Sequence, residues 1–147
     1  VQSAEELRSK KMNFSPSAMA ELTVLTKAVE EILGLSLDAF LKDDYNAAGM
    51  VEPLEQVIDG LKEQLRTSHI LRLQKEECSI EAGFVWADLL TDLERVSDHC
   101  SNIAGCIMDM HQGKLNLHES LRAMKEDRAQ FDERCRMYRQ KYALPVE

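Results

Sequence analysis

Apolar residues along this chain recur at steps of three and four, which predicts helices, and no alternating run is long enough to predict a strand. The longest periodic run is Leu89, Leu93, Val96, Cys100, Ile103 and Ile107. Among those positions Glu94, Asp98 and Asn102 recur at steps of four and so stack on one face of the same helix. At about 100° per residue, that polar row lies roughly 160° from the apolar one. The pattern predicts one helix with a greasy side turned to a core and an acidic, amide-bearing side turned to something else.

Three more helices follow from the same reading. Residues 1–13 are polar and charged and read as a helical or frayed lead-in. Ser15-Pro16 opens the first firm helix, because serine caps free N–H groups and proline suits the first helical position. Leu22, Leu25, Val29, Ile32 and Ala39 or Phe40 form its stripe, which runs to about Lys42. Asp43-Asp44-Tyr45-Asn46 reads as a turn and the next cap. The second helix spans roughly Ala47 to Leu73, with Met50, Leu54, Val57, Ile58, Leu61 and Leu65 as its stripe. Pro53 removes one ladder hydrogen bond and predicts a bend near its start.

Residues 74–78 read as a loop, Ser79 as the cap of the third helix from Ile80 to about His111, and Gly113 as its stop. Asn116 with Glu119 resembles a capping box for a fourth helix. Its stripe is Leu117, Leu121, Met124, Phe131, Cys135, Tyr138 and Tyr142, and Pro145 ends it. The fold class is all-α. Four long helices with short connections pack most simply as an up-down antiparallel bundle over residues 14–143, with a tail at 144–147.

Composition narrows the function. The 147 residues suffice for one domain with its own core. A net charge of -8, from 26 acidic against 18 basic residues, argues against nucleic acid, whose phosphates need clustered Lys and Arg. Aromatic residues are only 5% of the chain, too few for base-stacking platforms. None of the four cysteines forms a Cys-x-x-Cys pair, and Cys100 and Cys135 fall on apolar stripes, which predicts core thiols in a reducing compartment without disulfides. No run reaches the roughly 18 apolar residues a spanning helix needs, and no secretory signal is visible. The first residue is Val1, not Met, so the chain reads as a piece of a longer protein.

Two helices each carry a carboxylate pair at i, i+4: Glu55 with Asp59, and Glu94 with Asp98. Like charges so placed cost roughly 0.2–0.5 kcal/mol per pair on an exposed helix. If the two helices lie adjacent and antiparallel, the pairs face each other and present four carboxylates. Such oxygen-rich sets suit Mg²⁺, Mn²⁺ or iron, with Arg95, His99 and Asn102 as further ligands, supporting groups or partner contacts. The competing reading is an ordinary solvated acidic face in an acid-rich chain. Other chemistry fails: there is no Glu-x-x-His, no zinc-protease spacing, no Gly-rich phosphate loop and no nucleophile–base–orienter set, so the chain is not expected to be an enzyme. Trp86 reads as a core anchor.

With Leu93-Glu94-Arg95-Val96-Ser97-Asp98-His99 followed by Asn102-Ile103-Ala104, the third helix resembles the motif of PhoU-type domains. Leu54-Glu55-x-x-Ile58-Asp59, His69-Ile70-x-Arg72-Leu73 and Cys78-Ser79-x-Glu81-Ala82-Gly83 extend the likeness. The fuller pattern is similar to the cytosolic PhoU-like domain at the C-terminal end of bacterial sodium/phosphate cotransporter family proteins, over roughly residues 14 to 143. The resemblance implies a helical bundle that serves phosphate uptake and its regulation on the cytoplasmic side of the membrane, without catalysis. It implies contact with a transmembrane transporter portion of the same or another chain, and divalent metal (Fe, Mn, Mg or Zn) held by Glu55, Asp59, Glu94 and Asp98. The full-length regulator carries two motif sets where this chain has one, so a second set implies a homodimer. A stand-alone PhoU-like adaptor docking on a transporter or sensor kinase is the alternative.

Overall fold

The computed structural model describes residues 14–112 and 117–145, together with Gln2 and Glu5. The rest of the lead-in, the Gly113 stop, the Asn116 cap and residues 146–147 lie outside the described residues. Helix α1 is Pro16–Lys42, α2 Tyr45–Gln74, α3 Ile80–Gln112 and α4 Leu117–Lys141.

The helix starts follow from short polar caps. Ser15 Oγ accepts from the Ala18 N–H at 3.2 Å, and Ser79 Oγ accepts from the Ala82 N–H at 3.1 Å. Asp44 Oδ1 accepts from the Ala47 N–H at 3.1 Å, so within the expected turn Asp44 is the cap, and α2 begins at Tyr45, two residues before Ala47. Asp43 takes a left-handed turn (φ 52°) that ends α1, a conformation short polar side chains tolerate. Helix α2 continues unbroken through Pro53.

Helix α2 packs against all three others, and α1 also packs against α3. Glu52 meets Ser101 and Lys62 meets Glu94, so α2 and α3 run antiparallel. Helix α4 lies along α2 in the parallel sense. Arg134 Nη1 donates to the Gly49 carbonyl at 2.9 Å, Cys135 Sγ reaches the Pro53 carbonyl at 3.9 Å, and Leu144 shares a cleft with Glu63 and Thr67. The direction alternates up and down along the chain as the short connections required. Lys141 and Tyr142 tie the end of α4 to Glu31 of α1.

The core is aliphatic and runs the length of α2: Val51, Leu54, Val57, Ile58, Leu61 and Leu65 are all buried, facing Leu25, Val29 and Ile32 of α1 and Trp86 and Leu90 of α3. On α1, Ala39 is buried and Phe40 is 69% exposed. The α3 stripe needs a correction. Val96 and Ile103 are exposed, and the buried row is instead Trp86, Leu90, Ser97, Cys100, Ala104 and Ile107. Helix α3 has turned so that small side chains, Ser97 and Ala104, meet the two neighbouring helices. Close approach of backbones favours that solution over burying two β-branched residues. The turn leaves Glu94 only roughly 90° from the buried row, by the same 100° per residue.

Two glycines give a direct test of this packing. A Cβ on Gly83 would lie 2.8 Å from His69 Nε2, on a buried ring stacked against Trp86. Gly60 has nothing within 4 Å of an added Cβ. Chemical denaturation should show Gly60→Ala stabilised by about 0.5–1 kcal/mol from helix propensity. Gly83→Ala should lose about 1 kcal/mol net, because overpacking exceeds the same propensity gain.

Candidate functional site

Along the middle of α2 the polar residues that face α3 fall in one narrow strip: Glu52, Glu55, Asp59 and Lys62, spaced three, four and three apart. Because α2 and α3 are antiparallel neighbours, this strip runs beside Glu94, Asp98 and Ser101. Lys62 is the organising group. Its side chain is buried, and its ammonium contacts Asp59 Oδ1 at 3.2 Å, Glu63 Oε1 at 3.6 Å, and Glu94 Oε1. Burial pulls the Lys62 pKa down, but the hydrogen bonds to Glu94 and Asp59 more than offset it, and the net direction is up. At the far end of the strip the Ser101 hydroxyl donates to Glu52 Oε2 at 2.5 Å.

Glu55 sits half-buried between these ends. Burial first, and then the negative charges of Glu52, Asp59, Asp98 and Glu94, push its carboxyl from 4.5 up to about 7. The two i, i+4 pairs are therefore within electrostatic reach of one another across the α2–α3 seam. Asp59 and Asp98 are exposed, as are Arg95, His99 and Asn102, which stand on the solvent side of α3. The site is an open acidic face.

Its oxygen donors have the chemistry of a hard-cation site. Among the described residues, however, no three His, Cys, Asp or Glu side chains converge closely enough to hold an ion. The Lys62 ammonium lies between Asp59 and Glu94, so part of the charge is answered from within the chain. Lys62 and Glu52 were not singled out by sequence reasoning. The available signal was their place on the Glu55–Asp59 face, which becomes meaningful only once α3 is known to lie opposite.

Stability should carry the mark of Glu55. Its folded pKa is raised above the unfolded value, so the folded state binds the extra proton, and stability falls as pH rises from 4.5 to about 7. Glu55→Gln removes that loss. Urea denaturation should show the variant gaining about 1 kcal/mol over the parent at pH 8, after solvent screening of a partly exposed group, with the gain vanishing near pH 4.5. An equal gain at both pH values would assign the effect to packing instead.

Comparison with known proteins places this geometry. A family model described as the PhoU domain matches residues 22–107, which covers α1 from Leu22, all of α2 and most of α3. The chain is similar to a Thermotoga maritima protein named phosphate-specific transport system accessory protein PhoU homolog 1, with 26% identity over 119 residues, 81% of this chain and 50% of that protein. It is also similar to a Pseudomonas aeruginosa protein named phosphate-specific transport system accessory protein PhoU homolog, with 26% identity over 115 residues, 77% of this chain and 47% of that protein. The chain thus spans about half the length of these relatives. No solved structure gives a significant match.

Proposed function

This chain belongs to the PhoU domain family, and on that footing we propose that it is an accessory module in the regulation of phosphate uptake, an adaptor that docks on transport machinery and carries out no chemistry of its own. The observation that carries this reading is the family match over α1, α2 and most of α3, which includes both helices that build the acidic seam. The relatives' names, accessory proteins of a phosphate-specific transport system, favour the adaptor over a built-in domain of a sodium/phosphate cotransporter. The described helices include none long and apolar enough to cross a membrane, so on this reading the chain meets the membrane through a partner, at its cytoplasmic side. The surface offered is the exposed rim of the seam, Asp59 and Asp98 with Arg95, His99 and Asn102, on a chain of net charge -8. A partner surface bearing Lys or Arg complements it.

The test is regulation of uptake in the native host. Deleting the chain should uncouple phosphate uptake and a phosphate-starvation reporter from external phosphate. Re-expression should restore the coupling. Asp59→Lys with Asp98→Lys changes two exposed positions and should still unfold cooperatively, with a melting shift from the lost Asp59–Lys62 contact, yet fail to restore it, whereas Asp59→Ala, which loses the same contact without reversing the charge, should restore it. Full rescue by that double variant would remove the acidic rim from the reading.

A second reading is favoured by one observation, the surplus of carboxylates around Glu55. In it Glu55, Asp59, Glu94 and Asp98 hold a divalent cation, with Lys62 swung aside, and a second copy of the chain completes the ligand set. The bound ion would neutralise the mutual repulsion of these groups. Calorimetric titration with Mn²⁺, Fe²⁺ or Mg²⁺ should then give saturable heat, lost in Glu94→Gln with Asp98→Asn and strengthened in Lys62→Met, which lacks the competing ammonium. Titration with no heat, from protein purified without chelator and free of metal by elemental analysis, would dismiss this reading.

A further inference from the structure

Helices α1 and α3 run in the same sense and touch in a fixed register. Ser36 hydrogen-bonds Cys100, and His111 Nε2 lies 3.3 Å from Asp43 Oδ1. The buried Ile32 and Ser97 mark the inner side of each helix. Leu33 and Phe40 lie about 60° and 40° beyond Ser36, on the side of α1 away from Ile32. Ile103 and Val96 lie about 60° and 40° beyond Cys100, on the side of α3 away from Ser97. These four therefore line the outer side of one α1–α3 groove. Leu37 and Leu41 extend its surface on α1, and Met110 extends it on α3.

All of these side chains are exposed, from 37% for Val96 to 73% for Leu41. At roughly 150 Å² of surface for a large apolar side chain, they leave on the order of 600 Å² in the open. The largest apolar patch on a monomer is commonly about 300–600 Å². The residues are also periodic. Leu33, Leu37 and Phe40 step by four and three, and Val96, Ile103 and Met110 step by seven, as in a helix seated against other helices. Val96 and Ile103 thus keep the spacing of a buried stripe while the single chain leaves them outside. Among the described residues nothing covers the groove. Helix α4 packs on α2, and its end is held at Glu31, about 140° around α1 from Ser36. Residues 1–13 offer only Val1, Leu7 and Met12 as large apolar side chains, too few for this surface.

From an open apolar groove of helical period and of this area, we infer that α1 and α3 form the contact between two copies of this chain, paired about a two-fold axis. A stable interface takes about 800 Å² from each partner, and in homodimers about 65% of it is apolar. Each copy must therefore supply on the order of 500 Å² of apolar surface, which this groove does. Charge selects the same occupant. At a net charge of -8, two copies repel through most of their surface. Past Glu30 and Asp92, the outer side of this groove carries no Asp, Glu, Lys or Arg. A bilayer with anionic headgroups repels the chain and meets no basic residue here. The contact goes beyond the accessory role proposed above. It keeps the two acidic seams apart and outward, so a pair presents two docking faces to its partner.

Sedimentation equilibrium of the purified chain across the micromolar range should show a monomer passing to twice its mass as concentration rises. Phe40→Glu and Ile103→Glu each put an unpaired charge into the contact, and each should raise the dissociation constant roughly tenfold or more. Both positions are exposed in the single chain, so both variants should keep the parent's helical circular dichroism and cooperative melting. Phe84→Glu is the control. Phe84 is 70% exposed against 69% for Phe40, but it lies on the α2 side of α3, and its loss should leave pairing unchanged. A parent chain that stays monomeric throughout, a dimer that survives both Phe40→Glu and Ile103→Glu, or equal weakening by Phe84→Glu would each overturn the assignment. So would saturable binding of a monomeric parent to phosphatidylcholine–phosphatidylglycerol vesicles that Phe40→Glu abolishes, since the groove would then meet a bilayer. Pairing of the isolated chain does not involve the transport machinery, so a negative result here leaves the accessory role standing, and failed regulation in the host leaves this contact standing.

Discussion

Burial of α2 on three sides is the constraint from which the remaining architecture follows. A helix in contact with α1, α3 and α4 must be apolar around most of its circumference, and Val51, Leu54, Val57, Ile58, Leu61 and Leu65 make it so. Over residues 52–62 its polar residues facing α3 are then confined to a strip roughly 80° wide, counted at 100° per residue. Glu52, Glu55, Asp59 and Lys62 share that strip because there is little other room for them. Their crowding is a consequence of packing first. The raised pKa of Glu55 and the placement of the Lys62 ammonium between two carboxylates follow from it.

The same bundle separates two kinds of chemistry along its length. Midway, the α2–α3 seam gathers negative charge and answers part of it with one buried lysine. At the end where α1 and α3 begin, two positive helix termini and a buried arginine gather over a small cavity, with Glu21 holding one arm of the guanidinium. The first region faces solvent and suits contact with a partner. The second is a small, partly open cavity at one end of the bundle.

Much of the fold was legible because it is written locally. Ser15-Pro16 and Ser79 cap the helices they were expected to cap, since an N-cap involves only four consecutive residues. The Leu54–Leu65 stripe of α2 is buried as its spacing required. The stretch Asp43-Asp44-Tyr45-Asn46 was legible as a turn and cap, but not which residue caps, because adjacent polar residues are all competent and sequence does not rank them; the structure assigns Asp44. The carboxylate pairs were legible as residue types at helical spacing, whereas Lys62 and Glu52 acquire meaning only opposite α3.

What the sequence by itself determined is the set of four helices, their order, the caps at Ser15 and Ser79 and the family they belong to, because periodicity, caps and motif spacing act within a few turns of one chain. Tertiary structure decided the rotation of α3, which puts Ser97 and Ala104 inwards, leaves Val96 and Ile103 outside, and moves Glu94 from the back of its helix to the flank where Lys62 waits. It also decided that two helix starts and Arg72 share one cavity. Both outcomes come from how closely neighbouring backbones can approach, a property of helix pairs that no single stretch of sequence contains.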